Sequence, residues 1–328
     1  MILWLAALIG LASLAALIFS AEKAVDKILA LCHHFGLSTT FVGLTIFSLA
    51  TSLPELFAHV AASVGILRGT LDYDVASATV VGANIGSDVF QQTFILGLVL
   101  FIAGAARFSK DFRRTAFYPM IGAAILVWIL GLNGVLSRMD GVILLIAFVA
   151  YMAFLYFHKD KHMHEHHDET DKTVETPRKD TLFAALFLTI MLVSAHFLLE
   201  SIEAIVAATA LDASFIGAIT LGVASASPEL FTALSALRKK ASGISWGTLI
   251  GSNITNPVLA LGVGAVISSY SVPYAVWVWD LPLKIVSALI LIPIIFFSAK
   301  HMIGRKTAIY LIACYALFLL VRILFFAL

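Results

Sequence analysis

The chain has 328 residues, of which 61% are hydrophobic and only 12% charged, about half the ~25% charged fraction of a soluble domain. A formal net charge of +1 leaves no basic surface of the kind that recognises nucleic acid. Two cysteines, Cys32 and Cys314, make no disulfide framework.

Apolar runs of about 20 residues, the length at which a helix crosses a bilayer, recur along the whole chain. Ten are predicted, at 2–20, 38–66, 77–105, 115–132, 141–157, 181–199, 213–237, 246–269, 281–299 and 307–327. The first run lacks the positive start of a signal peptide and is read as a retained span. Between the fifth and sixth runs lies HKDKHMHEHHDETDKTVETPRKD, 158–180, a polar stretch without an apolar stripe. Its histidines (His158, His162, His164, His166, His167) offer ligands to a borderline divalent metal, though a solvated loop is the plainer reading. The chain therefore divides into a first five-helix unit at 1–157, a His-rich linker at 158–180 and a second five-helix unit at 181–328.

Lys and Arg set the expected orientation. Odd-numbered loops carry Lys23 and Lys27; Arg107, Lys110, Arg113 and Arg114; Lys159, Lys161, Lys172, Arg178 and Lys179; Arg238, Lys239 and Lys240; and Lys300, Arg305 and Lys306. Even-numbered loops hold only Arg68 and Arg138, and instead carry acids such as Asp72, Asp74, Asp140, Glu200 and Asp280. This places the odd loops and the linker in the cytoplasm and both termini outside, in a plasma-membrane protein surrounded by the lipid bilayer.

Two sequence elements occur twice. GLTIFSLATSLPE at 43–55 is echoed by GAITLGVASASPE at 217–229, and GANIGSDVF at 82–90 by GTLIGSNIT at 247–255. The first element lies in the second and seventh spans, the second in the third and eighth. The copies are offset by five spans, an odd number, so the halves cross the membrane in opposite directions. The predicted fold is an all-α integral membrane protein of ten transmembrane helices, two inverted five-helix repeats with broken helices 2 and 7.

The breaks carry the chemistry. Pro54 and Pro228 have no N–H, so the carbonyls of Ala50 and Ala224 lose their helical partners. In hydrocarbon such oxygens belong against a cavity or a ligand. Beside them stand the hydroxyls of Thr51, Ser52 and Ser225 and one carboxylate per half, Glu55 and Glu229. A hard cation wants these donors; Ca²⁺ takes about 6–8 oxygens. The second element adds Asp88 and its counterpart Asn253, with Asn84, Gln91 and Gln92 on roughly the same face as Asp88. Ser48, Ser87 and Ser252 are further candidates, although serine often bonds its own helix. Lys284 and Arg322 read as residues near span ends, so the carboxylates are expected to draw their counter-charge from solution, as metal ions or protons. His59, one turn after Glu55, is either a packing residue or a neighbour that tunes that carboxylate.

Other classes fit less well. The stretch 55–59 reads E-x-x-x-H and not the H-E-x-x-H of a metalloprotease, and no G-x-S-x-G and histidine arrangement is evident. A channel lined by acids lacks a reason for two inverted halves around one midplane site. No enzyme activity, resident cofactor or obligatory protein partner is expected.

The paired S-L-P-E and S-A-S-P-E breaks and the G-S-D and G-S-N elements resemble the cation/calcium exchanger superfamily, nearest to the prokaryotic sodium/calcium exchangers, over essentially the whole chain. The resemblance implies antiport of Ca²⁺ against Na⁺ by alternating access. It implies Ca²⁺ bound by Glu55 and Glu229 with the carbonyls of Thr51 and Ser225, and sodium sites using Ser48, Ser52 and neighbours on the third and eighth helices. It also implies that the first and sixth helices slide across the rest. The chain departs from the family pattern with alanine at 50 and 224, Ala226 opposite Ser52, His59 beside the site and the acid of the Asp/Asn pair in the first half. Proton coupling is the alternative.

Overall fold

The computed structural model describes residues 3–158, 177–206, 215–298 and 301–326, with the side chains of residue 3 and of 203–206 left out. The linker expected at 158–180 lies outside the described residues except at its two ends. Among the described residues, ten helices are long and apolar enough to cross a membrane: α1 (Trp4–Phe35), α2 (Thr39–Leu67), α3 (Tyr73–Ala103), α4 (Lys110–Asn133), α5 (Arg138–Phe157), α6 (Pro177–Ile202), α7 (Ile216–Arg238), α8 (Ser242–Ser268), α9 (Val276–Phe297) and α10 (Arg305–Phe325). The protein is a multi-pass membrane protein.

At both expected breaks the α-helical run is interrupted by a single residue. Helical structure stops at Ser52 and resumes at Leu53, and it stops at Ala226 and resumes at Ser227. In each case the proline is the second residue of the new segment, where its missing N–H is least costly. Wider turns with π-type hydrogen bonding recur in matched pairs: Gly43–Phe47 with Ile216–Leu221, Phe90–Ile95 with Asn256–Ala260, and Arg113–Phe117 with Val276–Asp280. Such bulges commonly mark functional positions. Among the described residues, four short strands follow the same symmetry. After α3, β1 (Ala105–Arg107) pairs antiparallel with β4 (Met302–Gly304), which precedes α10. Before α5, β2 (Val135–Leu136) pairs with β3 (Tyr270–Ser271), which follows α8.

The two halves interlock at the centre. In α3 and α8, 78% of the membrane window is buried, the highest share of any span. Each packs on the broken helix of the opposite half. A Cβ on Gly86 in α3 would lie 2.1 Å from the Ala218 carbonyl oxygen in α7, and one on Gly251 in α8 would lie 2.7 Å from Ser48 Cβ in α2. The G-x-x-x-G spacing permits this approach. Gly86→Ala is therefore expected to cost about 1–3 kcal/mol and lower the melting temperature, whereas Gly122→Ala, with open space around it, leaves it unchanged. Thermal unfolding in detergent checks this; equal stability of the two variants would remove Gly86 from the packing argument.

The main apolar core draws on α2 to α5 and α7 to α10, and none of its buried residues comes from α1 or α6. Those two helices pack on each other through Leu17, Ala21, Met191 and Ala195, a separate cluster touched by Phe231 of α7. Near the opposite end, Val25, Ile28 and Ala184 join Val42, Phe47 and Ala236.

Three boundary expectations are corrected. The first helix continues well past residue 20, to Phe35, so Lys23 and Lys27 sit on it rather than in a loop. Lys27 bonds Asp180 at 2.7 Å, and Lys239 bonds Asp26 at 2.8 Å. The ninth span starts at Val276, not 281, so Asp280 is no loop acid but a residue with no exposed surface. Lys284 is not an end residue either, since α9 begins at Val276; Arg322 does lie in the last turn of α10, and both are fully buried.

Candidate cation-binding site

The expected residues all lie in the interior of the helix bundle. Glu55, Glu229, Thr51, Ser225, Ser48, Ser52, Asn84, Ser87, Asp88, Ser252, Asn253, Ala50 and Ala224 are all buried. Glu55 and Glu229 stand two residues inside their new helix segments, one from each half.

The halves exchange partners here. The Ser225 hydroxyl faces Glu55, the Thr51 and Ser252 hydroxyls face Glu229, and each glutamate lies within electrostatic reach of the other or of Asp88. The hydroxyl protons are largely engaged elsewhere. Thr51 Oγ1 donates to the Phe47 carbonyl at 2.9 Å and lies 3.1 Å from Ser252 Oγ, while Ser225 Oγ donates to the Gly222 carbonyl at 3.2 Å. Ser48 Oγ donates to the Leu44 carbonyl at 2.6 Å and lies 3.5 Å from Thr255 Oγ1. This is the own-helix bond that serine often makes, yet it leaves oxygen lone pairs free.

The carboxylates are starved of donors. Ser87 Oγ donates to Glu55 Oε1 at 3.3 Å. Glu55 Oε2 and both oxygens of Glu229 have no hydrogen-bond partner. Ser52 Oγ and the side-chain oxygens of Asn84, Asn253 and Asn256 are likewise unpartnered. Buried polar atoms are nearly always satisfied, so a cluster of orphan oxygens calls for a ligand. All are acceptors or hydroxyls, the donor set of a hard cation. Among the described residues, no group of three or more His, Cys, Asp or Glu is arranged to hold a metal alone. Two carboxylates with neutral oxygens are what the site offers.

A polar chain crosses the centre. Gln91 Nε2 donates to Ser87 Oγ at 2.9 Å, and Asn253 Nδ2 lies 3.4 Å from Gln91 Oε1, which joins Glu55 to the second half. Asn84 Nδ2 donates to the Asn256 carbonyl at 3.2 Å, and Asn256 Nδ2 donates to Asp88 Oδ1, also at 3.2 Å. The other Asp88 oxygen accepts from Lys284 Nζ. Gln92 Nε2 donates to the Lys284 carbonyl at 2.7 Å. The expectation that no lysine neutralises the buried acids is thus corrected: the Asp88 carboxylate meets its counter-charge inside the protein. Lys284 and Asn256 were missed. The signal was a lysine inside the apolar run LPLKIVSALILIP, which only a buried carboxylate makes tolerable.

His59 occupies a wall of the site. Its Nδ1 lies 3.1 Å from the Tyr270 hydroxyl, which is 2.6 Å from Ser63 Oγ, while its Nε2 has no partner. It lines a cavity of about 40 Å³ together with Glu55, Asn84 and Ser225, space for a small ion or a few waters. A cleft of about 1110 Å³ adjoins it through Ala58, Thr79, Val80 and Leu221, and it reaches Asp72, His196 and Glu200. His196 and Glu200, near the end of α6, therefore line a cleft that adjoins the site.

Interrupted helices from two inverted repeats, meeting over buried and unpaired oxygens, are the arrangement of a membrane transporter. A family model described as sodium/calcium exchanger protein matches residues 5–157 and 179–324, nearly the whole chain. The chain belongs to the sodium/calcium exchanger protein family. Inner membrane protein YrbG of Escherichia coli is 29% identical over 258 residues, 76% of each chain. The sodium/calcium exchanger MaX1 of Methanosarcina acetivorans is 25% identical, over 96% of this chain and 97% of that one. The solved structure of the sodium-calcium exchanger NCX_Mj, soaked with Na⁺ and Sr²⁺, superposes with a TM-score of 0.77 at 22% identity, covering 97% of this chain and 99% of the other.

Proposed function

We propose that the protein exchanges Ca²⁺ for Na⁺ across the plasma membrane by alternating access, with Glu55 and Glu229 together binding the Ca²⁺. The observation that carries this reading is the pair of carboxylates from mirrored helix breaks, three of whose four oxygens have no hydrogen-bond partner. A dehydrated divalent cation satisfies both acids at once, and the hydroxyls and backbone oxygens near Thr51 and Ser225 complete its shell. Ser48 and Ser52, with Asn84, Ser87, Ser252 and Asn253, line positions suited to Na⁺. Ala50 and Ala224 contribute their carbonyls. Competition between Ca²⁺ and monovalent ions for the same two charges makes transport an exchange. The names of the relatives favour Na⁺ as the coupling ion. In this reading the termini lie outside and the linker is cytoplasmic, so the cleft between Asp72 and the site opens outward.

Purified protein in proteoliposomes loaded with Na⁺ is expected to take up radiolabelled Ca²⁺ only against an outward Na⁺ gradient. Uptake without any counter-gradient would indicate a channel and overturn the reading. Proton exchange is the second reading, favoured by the unpartnered His59 Nε2 on the cavity shared with Glu55. Ca²⁺ uptake driven by an outward proton gradient in Na⁺-free medium, and lost in His59→Ala, would select it. Na⁺-driven uptake that survives His59→Ala would reject it.

A further inference from the structure

The Asp88–Lys284 pair does not belong to a two-glutamate site, and it has a consequence for how much charge the protein moves. Both side chains have no exposed surface, and Lys284 Nζ donates directly to Asp88 Oδ2. The remaining Asp88 oxygen accepts from Asn256. The lysine is held on α9 by its backbone, where Gln92 bonds its carbonyl and Ser287 Oγ lies 2.8 Å from the same Gln92 nitrogen. The equivalent position in the second half is the neutral Asn253, which bonds the Leu249 carbonyl at 3.0 Å. Asp88 lies close enough to Glu55 for their charges to repel.

Three acids and one lysine leave a net charge of minus two in the membrane core. A charge unmatched there is strongly disfavoured in every state that must cross it. One Ca²⁺ cancels two negative charges; so do two monovalent cations. Without the lysine, the third acid would demand a third monovalent ion. An ammonium tethered to the chain cannot leave with the cargo.

We propose that Lys284 is a built-in counter-cation standing in for one transported monovalent ion, so that one Ca²⁺ exchanges for two monovalent cations with no net charge moved. The proposal rests on the exchange reading above.

The test is the steady-state Ca²⁺ ratio in proteoliposomes carrying the full chain, with Na⁺ as driving ion, or protons if Na⁺ is inert. Under a tenfold driving gradient, two-for-one exchange gives about a 100-fold Ca²⁺ ratio, unaltered when valinomycin and a tenfold K⁺ gradient impose a membrane potential. A ratio of about 1000-fold, or one that shifts about tenfold with the K⁺ gradient, means one net charge per cycle and overturns the proposal. No gradient-driven Ca²⁺ movement at all would count against the exchange reading instead. Lys284→Met frees Asp88 and is expected to make the ratio sensitive to the K⁺ gradient. Lys284→Met/Asp88→Asn removes both charges and is expected to return it to the insensitive two-for-one value. A double variant that remains potential-sensitive would contradict the assignment, and the wild-type and double-variant results stand even where the single variant does not fold.

Discussion

Glu229→Gln is expected to abolish Ca²⁺ exchange, with uptake falling at least about 100-fold, and Glu55→Gln to do the same. The reason is charge rather than shape. Each substitution keeps the size and hydrogen-bonding reach of the side chain and removes half the negative charge that offsets Ca²⁺ dehydration. Neither variant should unfold the protein, because neither wild-type carboxylate is tightly held: the Thr51 and Ser252 hydroxyls face Glu229 without bonding it, and Glu55 accepts only a long bond from Ser87, at 3.3 Å. Normal thermal stability with absent transport is therefore the expected combination, read by melting temperature and radiolabelled Ca²⁺ uptake on the same preparation. Substantial exchange in either variant would mean that the two acids do not share one ion.

Arg322→Met should do the reverse and strike the fold. Arg322 Nε donates to Asp280 Oδ1 at 2.9 Å and a terminal guanidinium nitrogen to Oδ2 at 2.5 Å, with both residues fully buried. This fork ties α10 to the wide turn that opens α9. Removing one partner of a buried ion pair leaves an uncompensated charge and costs about 3–5 kcal/mol. The variant is expected to express poorly or melt far below the wild type in detergent. Arg322→Met/Asp280→Leu removes both charges and should recover most of the loss, since apolar replacement of a buried pair is often neutral. A single variant as stable as wild type would show that Asp280 finds another partner.

Much of this molecule could be read from its residues. Two prolines after hydroxyls in apolar runs located the helix breaks, and the duplicated G-S-D and G-S-N elements fixed the inverted repeat. The glutamates followed from chemistry, since nothing else in those spans explains a carboxylate. What stayed hidden depended on partners far apart in sequence. Asp88 and Lys284 are separated by 196 positions, and Asp280 and Arg322 by 42. Hydropathy weighs each charge alone, so it pushed Asp280 into a loop and Lys284 toward a helix end, although a paired charge belongs in the interior. Nor does a repeat reveal that α3 packs on α7 and α8 on α2. That exchange depends on backbones meeting at Gly86 and Gly251, and it sets the Ser225 hydroxyl against Glu55 and that of Thr51 against Glu229.

The claim on which the rest depends is that Glu55 and Glu229 hold one cation between them. Crystals of the protein soaked in Sr²⁺, a Ca²⁺ analogue with usable anomalous scattering, test it most directly. The account predicts a single strong anomalous peak bonded to carboxylate oxygens of both residues. A peak coordinated by only one of them, or one sitting at Asp88 with Lys284 displaced, would contradict it.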